Sequence, residues 1–226
     1  DYYAIADQFG SMEEMEKLIA EADKRGIGIM MDLVINHSSD QHQWFKESRQ
    51  SKANPKRDYY IWKDPKADGS PPTNWRSIFG GSAWTFDEKT GQYYLHTFAE
   101  EQPDLNWENK KLRQELYQMV NWWLDKGLAG FRVDAISYIK KNQFKDQKVN
   151  GPDGLSSIFE ASANQPGILD LLNELKAETF SNYQIVTVAE LYAEENERMQ
   201  EFAGDDGPFD LVFDFRHVDL DLSEGS

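Results

Sequence analysis

The stretch GFRVDA, residues 130–135, decides the fold predicted for this chain. It follows an amphipathic segment that ends at Lys126 and Gly127, and glycine at this point is typical of a helix end. Residues 130–135 are therefore predicted to form a short strand, in which Arg132 and Asp134 share a face. An arginine beside a carboxylate favours the ionised form that a carboxylate nucleophile requires. A structural ion pair is the alternative interpretation.

Composition sets limits on the class of protein. The 226 residues are 39% hydrophobic and 13% aromatic, which predicts a globular chain with a sizeable core, and the net charge of -16 argues against a nucleic-acid partner. The chain has no cysteine, which suits a reducing compartment, and no apolar run of transmembrane length. We expect a cytoplasmic protein without a membrane partner. Because the chain begins at Asp1, we also expect it to be the middle of a longer protein. The presence of a signal peptide in that protein is left open.

A second predicted strand carries polar residues at its end. Residues 27–35 form a nearly unbroken apolar run, typical of a parallel strand that is buried on both faces. Asp32 interrupts this run, and we expect it to pair with Arg132. Asn36 shares the face of Asp32, and His37 follows at the strand end, where active sites of barrel enzymes collect. For His37 alone, a catalytic role and an ordinary polar contact both remain open.

Residues 38–105 differ from their surroundings and are predicted to be a small inserted subdomain between barrel segments 1–37 and 106–226. The stretch is rich in proline, glycine, tryptophan and tyrosine, and it is too long for a simple loop. Residues 84–96 have the pattern of a hairpin. Four tryptophans of this region are candidates either for packing, which we favour, or for stacking on sugars: Trp44, Trp62, Trp75 and Trp84.

The second half of the chain alternates predicted helices and strands, which indicates a parallel sheet. The strand at 184–190 ends in Glu190, as the strand before it ends in Asp134. Neighbouring parallel strands lie about 5 Å apart, so the two carboxyl groups can face each other at about the separation of 5 to 5.5 Å found in retaining glycosidases. Arg132 keeps Asp134 ionised. Glu190 has valines on its face, which predicts a raised pKa and the role of general acid.

Four motifs resemble those of a known family. The sequences DLVINH at 32–37, GFRVD at 130–134 and VAE at 188–190 resemble, in order and spacing, three regions of the α-amylase family of glycoside hydrolases. The sequence QPDLN at 102–106 resembles the motif that marks its oligo-1,6-glucosidase and α-glucosidase branch. The resemblance covers nearly the whole chain.

This resemblance implies an α/β fold that is part of a (β/α)8 TIM barrel, from about the second or third to the sixth unit, with the inserted domain after the third strand. It implies that Asp134 is the nucleophile and Glu190 the acid and base of a retaining, exo-acting α-glucosidase. The implied substrate-binding residues are His37, Arg132 and Ala135. The residues implied to support the site are Asp32 and Asn36. Residues 102–106 are expected where the inserted domain returns to the barrel.

Ala135 bears on the substrate. In this family, valine after the nucleophile goes with α-1,6 bonds, and alanine or threonine with α-1,4 bonds. The neighbouring Lys140 and Lys141, with the long excursion as far as Glu178, resemble the isomaltose-cleaving branch instead. Short isomalto- and malto-oligosaccharides therefore both remain candidate substrates, and the oligomeric state is open.

The chain also departs from the family pattern. The third catalytic carboxylate of the family has no match after Glu190, since HVD at 217–219 does not fit, and the family calcium loop would lie before Asp1. The sequence DLDLSEG at 219–225 begins like a calcium loop but lacks its glycine and later ligands, so we predict no metal or cofactor in this chain. We expect residues 1–226 alone to be inactive or unstable, because an open barrel segment leaves exposed edges.

Three alternative functions remain. A glucosidase-like ectodomain without activity, which assists a membrane transporter, is the alternative from another class. A trehalose-phosphate hydrolase and a sucrose isomerase are the alternatives within the enzyme class. A transmembrane segment before Asp1 would favour the first, and a cluster of lysine or arginine in the pocket would favour the second.

Overall fold

A computed structural model describes residues 1–192, 196–204 and 206–215. The stretches 217–219 and 219–225, considered above as a histidine-aspartate pair and as a calcium loop, lie outside the described residues. The strands are β1 Met30–Val34, β2 Trp62–Lys63, β3 Trp75–Arg76, β4 Trp84–Asp87, β5 Gln92–Leu95, β6 Gly130–Asp134, β7 Ser156–Ser157, β8 Val186–Ala189 and β9 Leu211–Val212. The helices are α1 Met12–Asp23, α2 Gln43–Ser48, α3 Lys110–Asp125, α4 Phe159–Ser162, α5 Ile168–Glu178 and α6 Asn196–Gln200.

A four-stranded sheet in the order β1-β6-β8-β9 forms the centre of the fold, and its paired strands run parallel. Helix α1 precedes β1 in the chain, α3 lies between β1 and β6, and α5 lies between β6 and β8. This confirms the predicted α/β alternation. Because all four strands run the same way, their carboxyl ends meet at one edge of the sheet.

Local sequence accounts for the helices. The hydroxyl of Ser11 accepts the N–H of Glu14, while the Glu14 carboxylate accepts the N–H of Ser11, so a capping box begins α1. The side chain of Asn109 caps the first turn of α3. Gly127 follows α3 with a φ of 95°, a conformation that glycine adopts without strain. The apolar faces of α3 and α5 pack with the interior residues of β6 in the main core.

The first strand differs from its prediction. Residues 27–35 were expected to be buried on both faces, but β1 is limited to Met30–Val34, and Ile27 and Met30 are 56% and 41% exposed. The prediction was wrong because β1 stands at the end of the sheet order, where among the described residues it pairs with β6 alone. An apolar run in the sequence does not reveal whether both neighbouring strands are present.

Residues 62–95 contain a second sheet, in the order β2-β5-β4, and the predicted hairpin is confirmed as the antiparallel pair β4 and β5. Trp75 and Trp84 are 0% and 3% exposed, and they share a small core with Ile158 and Ala161. The rings of Trp44 and Trp62 pack on neighbouring aromatic rings. Packing is therefore confirmed for the four tryptophans. The parallel pairing of β3 with β7 ties residues 156–157 to this region.

None of the helices within residues 1–192, 196–204 and 206–215 combines the length and the apolar character needed to cross a membrane.

Candidate active site

The register of the central sheet brings the predicted polar residues together. Asp32 on β1 pairs with Arg132 on β6, which in turn pairs with Val188 on β8. Asp134 is the last residue of β6, and Glu190 follows the last residue of β8. The N–H of Glu190 donates to the carbonyl of Val133 at 2.8 Å, which continues the ladder by one residue. The two acids thus lie at the ends of adjacent parallel strands, as predicted.

A single guanidinium group contacts three carboxyl groups. Nη1 of Arg132 donates to Asp32 at 2.8 Å and to Asp134 at 2.5 Å, and Nη2 donates to Glu190 at 2.6 Å. The expected pair of Asp32 and Arg132 is confirmed, although the Asp32 side chain is 56% exposed. With three carboxyl groups around one cation, a proton on one of them reduces the repulsion.

The surroundings of Glu190 differ from the prediction that only valines share its face. Its Oε2 accepts from Arg132 and also lies 3.3 Å from the N–H of Ala135. The prediction was wrong because the long arginine side chain reaches from β6 across to the end of β8. The pKa of Glu190 is nevertheless raised, first by burial and then by hydrogen bonding with Asp134, against the opposing effect of Arg132. Burial and the hydrogen bond with Asp134 therefore favour the protonated form of Glu190.

Ala135 has a left-handed backbone, with φ 48° and ψ 35°. This conformation is uncommon for a residue other than glycine, and it turns the chain sharply after Asp134. The turn directs the N–H of Ala135 towards Glu190. The residue that follows the first acid therefore also contacts the second.

His37 lies beside the acids and is held by neighbours that the sequence did not identify. Its Nε2 is 2.9 Å from Nε2 of Gln102, and its ring lies 5.2 Å from the ring of Phe98. Burial lowers the pKa of His37, although Asp104 and Asp134 oppose this shift. His37 is therefore neutral near pH 7 and can exchange a hydrogen bond without adding charge.

A buried network supports His37 from behind. Nδ2 of Asn36 lies 3.3 Å from Nδ1 of His37, and Oδ1 of Asn36 accepts from Nζ of Lys141 at 3.2 Å. Lys141 forms an ion pair of 2.8 Å with Asp104, and the two side chains are 4% and 0% exposed. Asp104 also accepts the N–H and hydroxyl of Thr97. Asn36 thus contacts both His37 and Lys141 without lining the cavity.

Residues 102–106 connect β5 of the second sheet to α3 and pass beside the end of β1. Asp104 forms a bridge with His37, and the N–H of Leu105 donates to the carbonyl of Asn36 at 2.9 Å. The QPDLN motif could have pointed to Asp104 and Gln102 as site residues. Lys141 was noted only for a resemblance to the isomaltose-cleaving branch, and its polar neighbourhood in the sequence gave no sign that it is buried.

A cavity of about 440 Å³ opens onto these groups. Its lining residues are His37, Phe79, Phe98, Gln102, Arg132, Asp134, Ala135, Tyr138, Glu190, Tyr192 and Phe215. The structure therefore brings five of the predicted site residues into one pocket and adds an aromatic wall that the sequence did not identify. Aromatic rings beside a few converging polar groups suit a small polar ligand with apolar faces, such as a sugar. Among the described residues, no group of three or more histidine, aspartate or glutamate side chains is arranged so that it could hold a metal ion.

Acidic and polar side chains at the carboxyl ends of adjacent parallel strands are the arrangement of a TIM-barrel active site, and the central sheet is a segment of such a barrel. The sequence model of the alpha amylase catalytic domain family matches residues 1–226, and the chain belongs to this family.

Individual relatives agree with this assignment. The chain is 48% identical to an oligo-1,6-glucosidase of Heyndrickxia coagulans, over 100% of this chain and 41% of that protein. It is 50% identical to the probable oligo-1,6-glucosidase 3 of Bacillus subtilis (strain 168), over 97% of this chain and 40% of that protein. The solved structure of Bacillus licheniformis trehalose-6-phosphate hydrolase superposes with a TM-score of 0.92 at 43% identity, over 100% of this chain and 40% of that one. The chain thus spans about two fifths of the length of these proteins.

Proposed function

We propose that this chain carries the catalytic acid pair of a retaining, exo-acting α-glucosidase that hydrolyses short α-glucosides. The observation that carries the proposal is the position of Asp134 and Glu190 at the ends of adjacent strands, where both contact Arg132 at 2.5 and 2.6 Å. Two carboxyl groups in different environments are what glycoside hydrolysis requires.

In the first step, a carboxylate oxygen of Asp134 forms a bond to the anomeric carbon of the glucose. The bond from this carbon to the glycosidic oxygen breaks, and its electron pair stays with that oxygen. Glu190 gives its proton to the leaving oxygen, so the second sugar departs as a neutral alcohol. The raised pKa of Glu190 supports this role, because the acid must hold its proton until the bond breaks.

In the second step, Glu190 is ionised and takes a proton from water while the water oxygen attacks the anomeric carbon. The ester bond to Asp134 breaks, which returns Asp134 as a carboxylate and leaves Glu190 protonated again. One water molecule is consumed, and the configuration at the anomeric carbon is retained. Arg132 would stabilise Asp134 whenever it is ionised, and the neutral imidazole of His37 would hydrogen-bond the sugar.

The names of the relatives favour α-1,6-linked substrates, since the two glucosidases described above are oligo-1,6-glucosidases. Ala135 favours α-1,4 bonds. We propose isomalto-oligosaccharides as the main substrate class and malto-oligosaccharides as the second.

The first test replaces the nucleophile. In a full-length protein, meaning one of the length of these relatives that contains this chain, Asp134→Asn should reduce kcat/KM on isomaltose by about a thousandfold or more. Asp153→Asn is the matched control, because Asp153 also pairs with an arginine, Arg76, at 2.7 Å but lies away from the cavity. Near-full activity of Asp134→Asn would refute the site.

The second test varies the leaving group. Glu190→Gln should lose far less activity on an aryl glucoside with a good leaving group than on isomaltose, because such a group departs without a proton. Equal losses on both substrates would contradict the acid role of Glu190.

A phosphorylated substrate is the second candidate, since the chain is similar to a trehalose-6-phosphate hydrolase. Among the described residues that line the cavity, Arg132 carries the positive charge, and Asp32, Asp134 and Glu190 already engage it. We therefore expect isomaltose and maltose to be preferred over trehalose 6-phosphate in a direct comparison of kcat/KM. Sucrose, assayed beside them, tests the isomerase alternative. A full-length protein without turnover on any of these sugars would support the non-catalytic alternative.

A further inference from the structure

The segment that follows Glu190 is fixed by side chains. Strand β8 ends at Ala189, so the ladder hydrogen bonds do not continue to Tyr192. Instead, the N–H of Tyr192 donates to Oγ of Ser137 at 2.9 Å, and Nδ2 of Asn164 donates to the carbonyl of Tyr192 at 2.6 Å. Both backbone polar groups of Tyr192 are thus bound by side chains from other parts of the chain.

Ser137 ties this segment to the other acid. It is 0% exposed and lies in the helical turn Ile136–Tyr138, three residues after Asp134. In the same turn, the N–H of Ile136 donates to the carbonyl of Glu190 at 3.2 Å. The turn after the first acid therefore holds the backbone of the second acid and of the residue two positions further.

Asn164 completes the arrangement from a third segment. Its N–H donates to the carbonyl of Ser137 at 2.8 Å, while its side chain reaches Tyr192. The backbone of Asn164 is left-handed, with a φ of 47°, and Nη2 of Arg198 donates to its carbonyl at 2.9 Å. Asn164 thus joins the turn Ile136–Tyr138 to the segment 190–192, and its own backbone is held in place.

We infer that Ser137 and Asn164 are positioning residues that set where the carboxyl group of Glu190 lies relative to Asp134. This inference rests on the proposed function, in which Glu190 must deliver a proton to the leaving oxygen. Proton transfer needs a donor within hydrogen-bond reach, and a displacement of about 1 Å in a catalytic group can cost about a hundredfold in rate. Neither residue lines the cavity, so neither contacts the sugar directly; both act through the backbone of residues 190–192, which carries Glu190 and the lining residue Tyr192.

The test uses Ser137→Ala and Asn164→Gly in the full-length protein. Ser137→Ala removes the acceptor for the N–H of Tyr192 and also a donor to the Tyr192 carbonyl at 3.4 Å. Asn164→Gly removes the bond to the Tyr192 carbonyl while glycine keeps the left-handed backbone without strain, so this variant is the safeguard if Ser137→Ala folds poorly. For each variant we expect kcat/KM on isomaltose to fall by about tenfold or more, and on an aryl glucoside with a good leaving group by less than about threefold.

Ser162→Ala is the matched control. Ser162 is also 0% exposed, and its hydroxyl donates at 3.0 Å to the carbonyl of Ile158, the residue that precedes its own helix. This variant loses a buried hydroxyl of the same size without touching residues 190–192. It should show the same ratio of activities on the two substrates as the wild type.

Glu190→Gln, assayed in parallel, separates this inference from the proposed function. Suppose that Glu190→Gln loses much more activity on isomaltose than on the aryl glucoside. If Ser137→Ala and Asn164→Gly then lose activity equally on the two substrates, or lose none, the positioning role is refuted and the acid role stands. If Glu190→Gln itself lacks that difference, the proposed function fails first.

Discussion

The buried ion pair between Asp104 and Lys141 gives a prediction about stability. Replacing Asp104 with asparagine leaves the Lys141 ammonium without its charged partner, in a place where it is 4% exposed and cannot reach water. The side-chain oxygen Oδ1 of Asn36, at 3.2 Å, and the backbone carbonyl of Tyr138 remain its neighbours, but neutral oxygens compensate only part of the charge. Burial already lowers the pKa of Lys141, because it disfavours the charged ammonium form.

The magnitude follows from the burial of both partners. Removing one member of a buried pair costs about 3 to 5 kcal/mol, because an uncompensated charge is left inside the protein. Asp87 provides a matched comparison. It is 1% exposed and accepts the N–H and hydroxyl of Thr90, as Asp104 does with Thr97, but the side chain of its partner Arg49 is 45% exposed. Water can solvate Arg49, so Asp87→Asn should cost about 1 to 2 kcal/mol.

The assay is urea unfolding of the full-length protein. Variants are compared by the urea concentration at the midpoint of unfolding, which reports stability when the slope m is the same for each variant. We expect Asp104→Asn to lower the midpoint more than Asp87→Asn does. The double variant Asp104→Asn/Lys141→Met should recover much of the loss, because it removes the unpaired charge. Equal losses in the two single variants, or a double variant less stable than Asp104→Asn, would refute the reasoning.

Two further predictions concern the pocket. The raised pKa of Glu190 means that the acid is protonated below that pKa and loses its proton as the pH rises through it, so kcat/KM on isomaltose should fall on the basic side of the pH profile. Glu190→Gln should abolish this basic limb, and an unchanged limb would assign it to another group. Ala135→Val should lower stability by about 1 to 2 kcal/mol, because a β-branched residue is strained at a φ of 48°. A thermal midpoint of Ala135→Val at or above that of the wild type would contradict this.

The positions of the two acids could be predicted from the sequence because they depend on short-range rules. Two residues in a strand share a face, which places Arg132 with Asp134, and alternating helices and strands lead to a parallel sheet whose carboxyl ends meet. The adjacency of β6 and β8 confirms that step. The helix starts at Ser11 and Asn109 can be predicted from the sequence for the same reason, since a cap involves residues within one turn.

The sequence alone thus determined the alternation of helices and strands and the edge of the sheet at which the acids collect. Only the tertiary structure decided that Arg132 reaches Glu190, that Lys141 is buried against Asp104, and that β1 stands at the end of the sheet order. These contacts join residues that are 37 to 58 positions apart in the chain, or depend on which strands are neighbours. Local patterns carry no information about such distances, because the packing of whole segments sets them.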